Sequence, residues 1–137
     1  MNDKNGHIVN IEELTVENTS FRKVLYTTPE MQLVLMSLKP GEDIGSEVHP
    51  NITQFFRVEA GKGTVILNGI ETFVEDGSSV VVPAGVEHNV VNTGDVDLKL
   101  YTLYTPPEHK HGVTQETKAE AEERHHNEGF DGTTSLS

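Results

Sequence analysis

"GSSVVVPAGVEHNVVN", residues 77–92, sets an apolar run, a tight turn and a second apolar run side by side. Val80, Val81 and Val82 between Gly77 and Pro83 have the length and β-branching of a short buried strand. Pro83-Ala84-Gly85 reads as the turn, because proline fixes its own φ and glycine accepts dihedrals closed to other residues. His88 then opens a new strand, so a ligand-capable imidazole stands at the mouth of an apolar sheet.

The same texture extends outward from this stretch. Strand-sized runs are "FRKVLYT", "QLVLMSL", "ITQFFRV", "TVILNG", "IETFV", "SSVVVP", "HNVVN" and "VDLKLYTLY", all between Phe21 and Tyr104. Turn-forming clusters such as "KPGEDIG", "HPN", "EAGKG", "EDG" and "NTGD" separate them. About eight short strands with no alternating helices predict an all-β barrel or sandwich. Asn68-Gly69 predicts a hairpin, since both central turn residues accept positive φ there. The organisation is an N-terminal segment over 1–19, in which "IEELTVEN" offers one short helical turn, a barrel over 20–105 and a C-terminal extension over 106–137. Pro106-Pro107 ends the sheet. Thr117 and Glu120 form a capping-box pattern that predicts a helix to about residue 127, and the last eight residues read as disordered.

The totals narrow the partners. The 137 residues suffice for one domain, and ten Lys and Arg against twenty-two Asp and Glu give a net charge of −12. Like-charge repulsion opposes phosphate backbones and anionic lipid, so neither nucleic acid nor a membrane surface is an expected partner. There is no cysteine, which leaves a metal only His, carboxylate and amide ligands. The opening "MNDKNGHIVN" has no long apolar run, so no secretory signal or membrane span is expected and a cytoplasmic setting fits.

"SEVHPNITQFF", residues 46–56, supplies such ligands. Along a strand Glu47 and His49 project to one face with Cα atoms roughly 7 Å apart. If the turn at Pro50-Asn51 folds the next strand back, Gln54 joins them, with Phe56 and Val58 as apolar wall and Phe55 and Arg57 facing away. His88 is the natural fourth arm.

These residues resemble the cupin family. Its second signature is Gly, five residues, Pro, one residue, Gly, two residues, His, three residues, Asn; Gly77, Pro83, Gly85, His88 and Asn92 fill every position. Of the first signature, Gly41, His49 and Gly61 fit, while Glu47 stands where a His is usual and Gln54 where a Glu is usual. The resemblance implies a double-stranded β-helix (jelly-roll-like) barrel, often a homodimer, with any metal inside one end. Glu47, His49, Gln54 and His88 would then be the metal ligands: two imidazoles, one carboxylate and one amide oxygen. The negative charge has moved to another corner of the site and is kept. Such a set suits one divalent ion, Zn, Fe, Mn or Ni.

The expected chemistry is metal-assisted isomerase, lyase or oxygenase turnover of a small oxygen-rich substrate. Similar short sequences resemble proteins labelled mannose-6-phosphate isomerase-like. A phosphorylated sugar needs a cationic anchor, and strand parity places no Lys or Arg inside the barrel, so a free sugar or a hydroxy or keto acid fits better. Proton transfer would fall to a metal-bound water, to Glu47 or to His88. The alternatives are a non-catalytic binding module and a structural dimeric barrel with a degenerate site. His109 and His111, and His125 and His126, read as solvated surface groups, with His109 able to approach the site if "YTPPEH" crosses the barrel mouth. Phe55, Phe56, Tyr101 and Tyr104 read as core or interface aromatics.

Overall fold

The computed structural model describes residues 4–124 and 127–137. In chain order the elements are α1 (Ile11–Glu17), β1 (Arg22–Thr27), β2 (Gln32–Leu38), β3 (Thr53–Ala60), β4 (Lys62–Leu67), β5 (Ile70–Glu75), β6 (Ser79–Val82), β7 (His88–Val91), β8 (Leu98–Thr105), β9 (Thr114–Gln115) and α2 (Lys118–Glu123). All eight predicted strands are present, and β9 is an addition. Its two residues lie against Arg22 and Lys23 of β1, too short a run to carry a periodic pattern.

The strands form two sheets, a six-stranded one in the order β6-β3-β8-β2-β1-β9 and a three-stranded one in the order β5-β4-β7. This is the arrangement of a double-stranded β-helix, and both sheets feed one apolar cluster. Val34, Met36, Phe56, Val58 and Leu100 come from the larger sheet and Val65, Val74 and Val90 from the smaller. Alternation along β8 is strict, with Leu98, Leu100, Thr102 and Tyr104 inward, as a sheet solvated on one face requires.

The hairpin between β4 and β5 turns at Asn68 (φ 47°) and Gly69 (φ 83°), the two positive dihedrals of the expected turn. Gly61 has a different reason to be glycine. A Cβ there would lie 2.5 Å from the carbonyl oxygen of Asp97, because β3 passes into β4 directly over the start of β8. The buried signature residue Asn92 is structural: its Nδ2 donates to the carbonyls of Leu38 and Val96, both at 2.8 Å, and its Oδ1 accepts from Gly94 N at 2.9 Å.

The segments outside the sheets depart from expectation in detail. α1 runs two turns, with Asn10 as N-cap accepting from Glu13 N at 3.0 Å. α2 begins as predicted, Thr117 Oγ1 accepting from Glu120 N at 3.1 Å, but the α-helix ends at Glu123. Its Glu120 side chain bonds Glu116 N rather than the cap residue. The last eight residues form no helix or strand yet are tied down: Ser135 N donates to Thr27 O at 2.8 Å, and Thr27 N to Ser135 Oγ at 3.0 Å. Composition cannot show such pairing with a distant strand edge. His125 and His126 lie outside the described residues. No helix of the described residues is long and apolar enough to cross a membrane.

Candidate metal centre

The segment carrying Glu47 and His49 is extended without being a regular strand. It runs antiparallel to β7: Gly41 N donates to Asn92 O and Ile44 N to Val90 O, each at 3.0 Å, while Glu47 and His88 exchange both backbone bonds at 2.9 Å. Beyond that pair, Gly85 N in the signature turn donates to His49 O at 2.9 Å. Residues directly opposed in such a pair project to the same face, so the ladder, more than strand parity, puts Glu47 beside His88. The Glu47 and His49 side chains do meet, Oε2 to Nε2 at 3.1 Å.

His88 is 2% exposed. Its Nδ1 lies 3.0 Å from Val86 O, and since a carbonyl can only accept, Nδ1 carries a hydrogen and Nε2 is the ring atom left to face the site. The His49 and His88 ring centroids are 5.3 Å apart, and Phe56 stands 6.2 Å from the His88 ring.

From β3 comes Gln54, buried with Phe56 and Val58 on the predicted inward face. Phe55 lies instead against Tyr101, and Arg57 pairs with Glu59 at 3.1 Å. Gln54 Nε2 donates to Thr102 Oγ1 at 3.0 Å, whereas its Oε1 is buried with no hydrogen-bond partner among the described residues. Leaving such an oxygen bare costs about 1–3 kcal/mol; a cation would satisfy it.

Two residues of the candidate site escaped the sequence reading. Glu108, just past β8, places Oε2 3.2 Å from His49 Nδ1. One oxygen each from Glu47 and Glu108 and one His49 nitrogen lie within 4.8 Å of one another, a trio to which His88 does not belong. The segment after β8 that carries Glu108 and His109, residues 106–111, forms a strap fastened by fully buried Gln32, whose Oε1 accepts from His109 N at 2.9 Å and whose Nε2 donates to His109 O at 2.7 Å. The only sequence signal was proximity, since Glu108 adjoins the His109 singled out as able to approach the site. His109 Nε2 reaches Tyr104 Oη at 3.1 Å, and Tyr104 in turn stands edge-on to His49 at 6.2 Å, so His109 sits one side chain removed.

The second is Arg22, which corrects the expectation of an interior without cations. It opens β1, is 8% exposed, and borders two cavities together with Glu47. One, of about 170 Å³, also meets Glu108 and His109; the other, of about 290 Å³, also meets Ile44 and Lys118. Parity along β1 does carry the signal, since Arg22 and core residue Val24 are buried on either side of exposed Lys23, whereas the expectation rests on the parity of Arg57.

Charge in the site is organised around His49. Burial alone would push the Glu47 carboxyl up, but the hydrogen bond and charge of His49, with Arg22 and His88 beyond, hold it below the ordinary carboxylate value. The bond to Glu47 raises His49 above the ordinary imidazole value against burial, and the charge of Glu108 adds to that. Burial pushes the Tyr104 hydroxyl well above its usual range, leaving it neutral.

The sequence matches the cupin domain model over residues 34–104. It is 48% identical over 120 residues to the uncharacterized protein YrkC of Bacillus subtilis, covering 83% of this chain and 64% of that one. An uncharacterized protein of Acanthamoeba polyphaga mimivirus is 44% identical over 117 residues, covering 81% of this chain and 72% of that one. A crystal structure of a Bacillus halodurans protein superposes with a TM-score of 0.85 at 44% identity, over 90% of this chain and 99% of that one. The chain therefore spans slightly less than two thirds of the Bacillus subtilis relative. A model matching more than half the sequence, and a fold shared almost end to end with a solved relative, lead to one assignment: this chain belongs to the cupin family.

Proposed function

We propose that this cupin holds one divalent metal ion, Zn, Fe, Mn or Ni, and uses it in isomerase, lyase or oxygenase chemistry on a small oxygen-rich substrate. The observation that carries this reading is the trio of Glu47, His49 and Glu108 within 4.8 Å. Two carboxylates crowded on one imidazole, beside a buried amide oxygen with no partner, call for positive charge. His49 through Nε2, His88 through Nε2, Glu47 and Gln54 Oε1 would hold the ion. Glu108 would keep its place on His49 Nδ1, the usual carboxylate support behind a ligating imidazole.

A divalent ion there would polarise a substrate carbonyl or carboxylate and stabilise the negative charge developing beside it. The chain's own residues do the rest. Val86 O fixes the His88 ring, Gln32 fixes the strap bearing Glu108, and Phe56 and Val58 exclude water from the inner wall. Glu47, with its side chain 31% exposed, is the carboxylate best placed to take or return a proton, and His88 is the second candidate. The protein would work in the cytoplasm as a homodimer, for which the exposed edge-strand side chains Phe73 and Val81 supply apolar surface.

A second reading has its own support. Both His49 nitrogens already face carboxylates, so a protonated His49 could itself be the cation, in a non-catalytic binding or structural barrel. Metal content by mass spectrometry on untagged protein decides between the two. Near-stoichiometric first-row metal, lost in His49→Ala and His88→Ala, supports the first; no metal in the purified protein and no micromolar uptake would sink it.

A further inference from the structure

We infer that Arg22 is the carboxylate anchor of this site, and that its substrate is a small monoanionic hydroxy or oxo acid rather than a neutral sugar. This rests on the metal-site reading above and narrows it. A guanidinium 8% exposed is expected to have an anionic partner, since removing the charge from water is costly unless it is paired. Among the described residues no carboxylate lies within ion-pair distance of Arg22, and Glu47, across the shared cavity, only feels its charge from farther off. Arg22 Nη1 donates at 2.7 Å to a neutral oxygen, Gln115 Oε1, and among the described residues its buried Nε has no hydrogen-bond partner.

The guanidinium is nevertheless held in place. Gln115 is itself buried, and its Nε2 donates to Glu128 Oε1 at 2.9 Å, which fixes which end of the amide faces Arg22. Glu128 pairs with Arg124 at 3.0 Å, and Arg124 also meets Glu120 at 3.1 Å. A positioned fork that still has donors to give, bordering a cavity shared with Glu47 and Glu108, is suited to a planar carboxylate.

Charge and size select the ligand. A divalent ion and Arg22 would carry three positive charges against the two of Glu47 and Glu108, which leaves room for one further negative charge where Arg124 offsets Glu128, the third carboxylate on the cavity wall. A monocarboxylate supplies it, and its neighbouring hydroxyl or carbonyl oxygen is left for the ion. A cavity of about 170 Å³ lies below the roughly 300–1,000 Å³ usual for drug-sized ligands. It suits a two- to four-carbon acid better than a hexose phosphate.

Calorimetric titration of the full chain loaded with one equivalent of zinc tests this, using glycolate, ethylene glycol and inorganic phosphate as probes. Wild type is expected to bind glycolate at least tenfold more tightly than either other probe. Arg22→Gln is expected to lose at least tenfold in glycolate affinity with zinc stoichiometry unchanged, and Arg22→Lys to keep part of it; should the first variant not fold, the second decides by a loss of at least threefold. Unchanged glycolate affinity in the variants, or a preference for ethylene glycol or phosphate, overturns the assignment. If wild type takes up no zinc, the metal reading fails separately. Arg22 is then judged on metal-free protein, where Arg22-dependent glycolate binding supports the anchor and no binding overturns it.

Discussion

Glu47 and His88 stand directly opposite one another across an isolated antiparallel bridge, each backbone N–H donating to the other's carbonyl at 2.9 Å. The bridge couples the two signature segments in one step, bringing a carboxylate and an imidazole 41 positions apart in the chain to the same side. Together with the Gly85 to His49 bond, it makes the signature turn a brace for the opposite side of the site.

That brace predicts unequal effects of substitution on metal affinity. His88→Ala and His49→Ala are expected to abolish stoichiometric binding. Glu108→Gln, which leaves every proposed ligand in place, should retain the metal with affinity about 10–100-fold weaker. Competition against a chromophoric chelator measures all three; equal losses would place Glu108 among the ligands.

The metal-free protein should show a stability plateau in pH. His49 binds its proton more tightly when folded, so its contribution is complete below the ordinary value of 6.5 and is lost as pH rises through the raised folded value. Glu47 binds its proton less tightly when folded, so its contribution is present above 4.5 and is lost as pH falls through the lowered folded value. Thermal melts of chelator-treated protein should be flattest between those values, and Glu47→Gln should soften both flanks.

Gln32 is predicted to hold the strap. Replacing it with Leu removes its three bonds to the backbone of His109 and Glu108. The expected cost is about 2 kcal/mol in urea unfolding. Hydrogen exchange at residues 108–111 should accelerate well beyond that of β2.

The two glycines at strand junctions should respond differently to alanine. At Gly61 the added Cβ meets Asp97 O at 2.5 Å and Leu98 Cα at 2.9 Å, both backbone, so a loss of about 3 kcal/mol or more is expected. At Gly69 no atom lies within 4 Å, and only the positive φ is penalised, at about 1 kcal/mol. Chemical denaturation of the pair checks the contrast.

What the sequence by itself determined was whatever depends on near neighbours along the chain. The eight main strands, the Asn68-Gly69 hairpin, the Thr117 cap and the inward row Gln54, Phe56 and Val58 follow from period-two alternation and turn chemistry, which act over a few residues. The signature spacing likewise singled out His49 and His88, whose ring centroids lie 5.3 Å apart. Tertiary structure alone decided the charge around them. Arg22 is set by Gln115, 93 positions away, Glu108 is held by Gln32, 76 positions away, and the irregular segment bearing Glu47 takes its direction from β7. No local periodicity encodes such pairings, because each is fixed by where the extension folds back over the sheet and by which buried polar groups must find partners there.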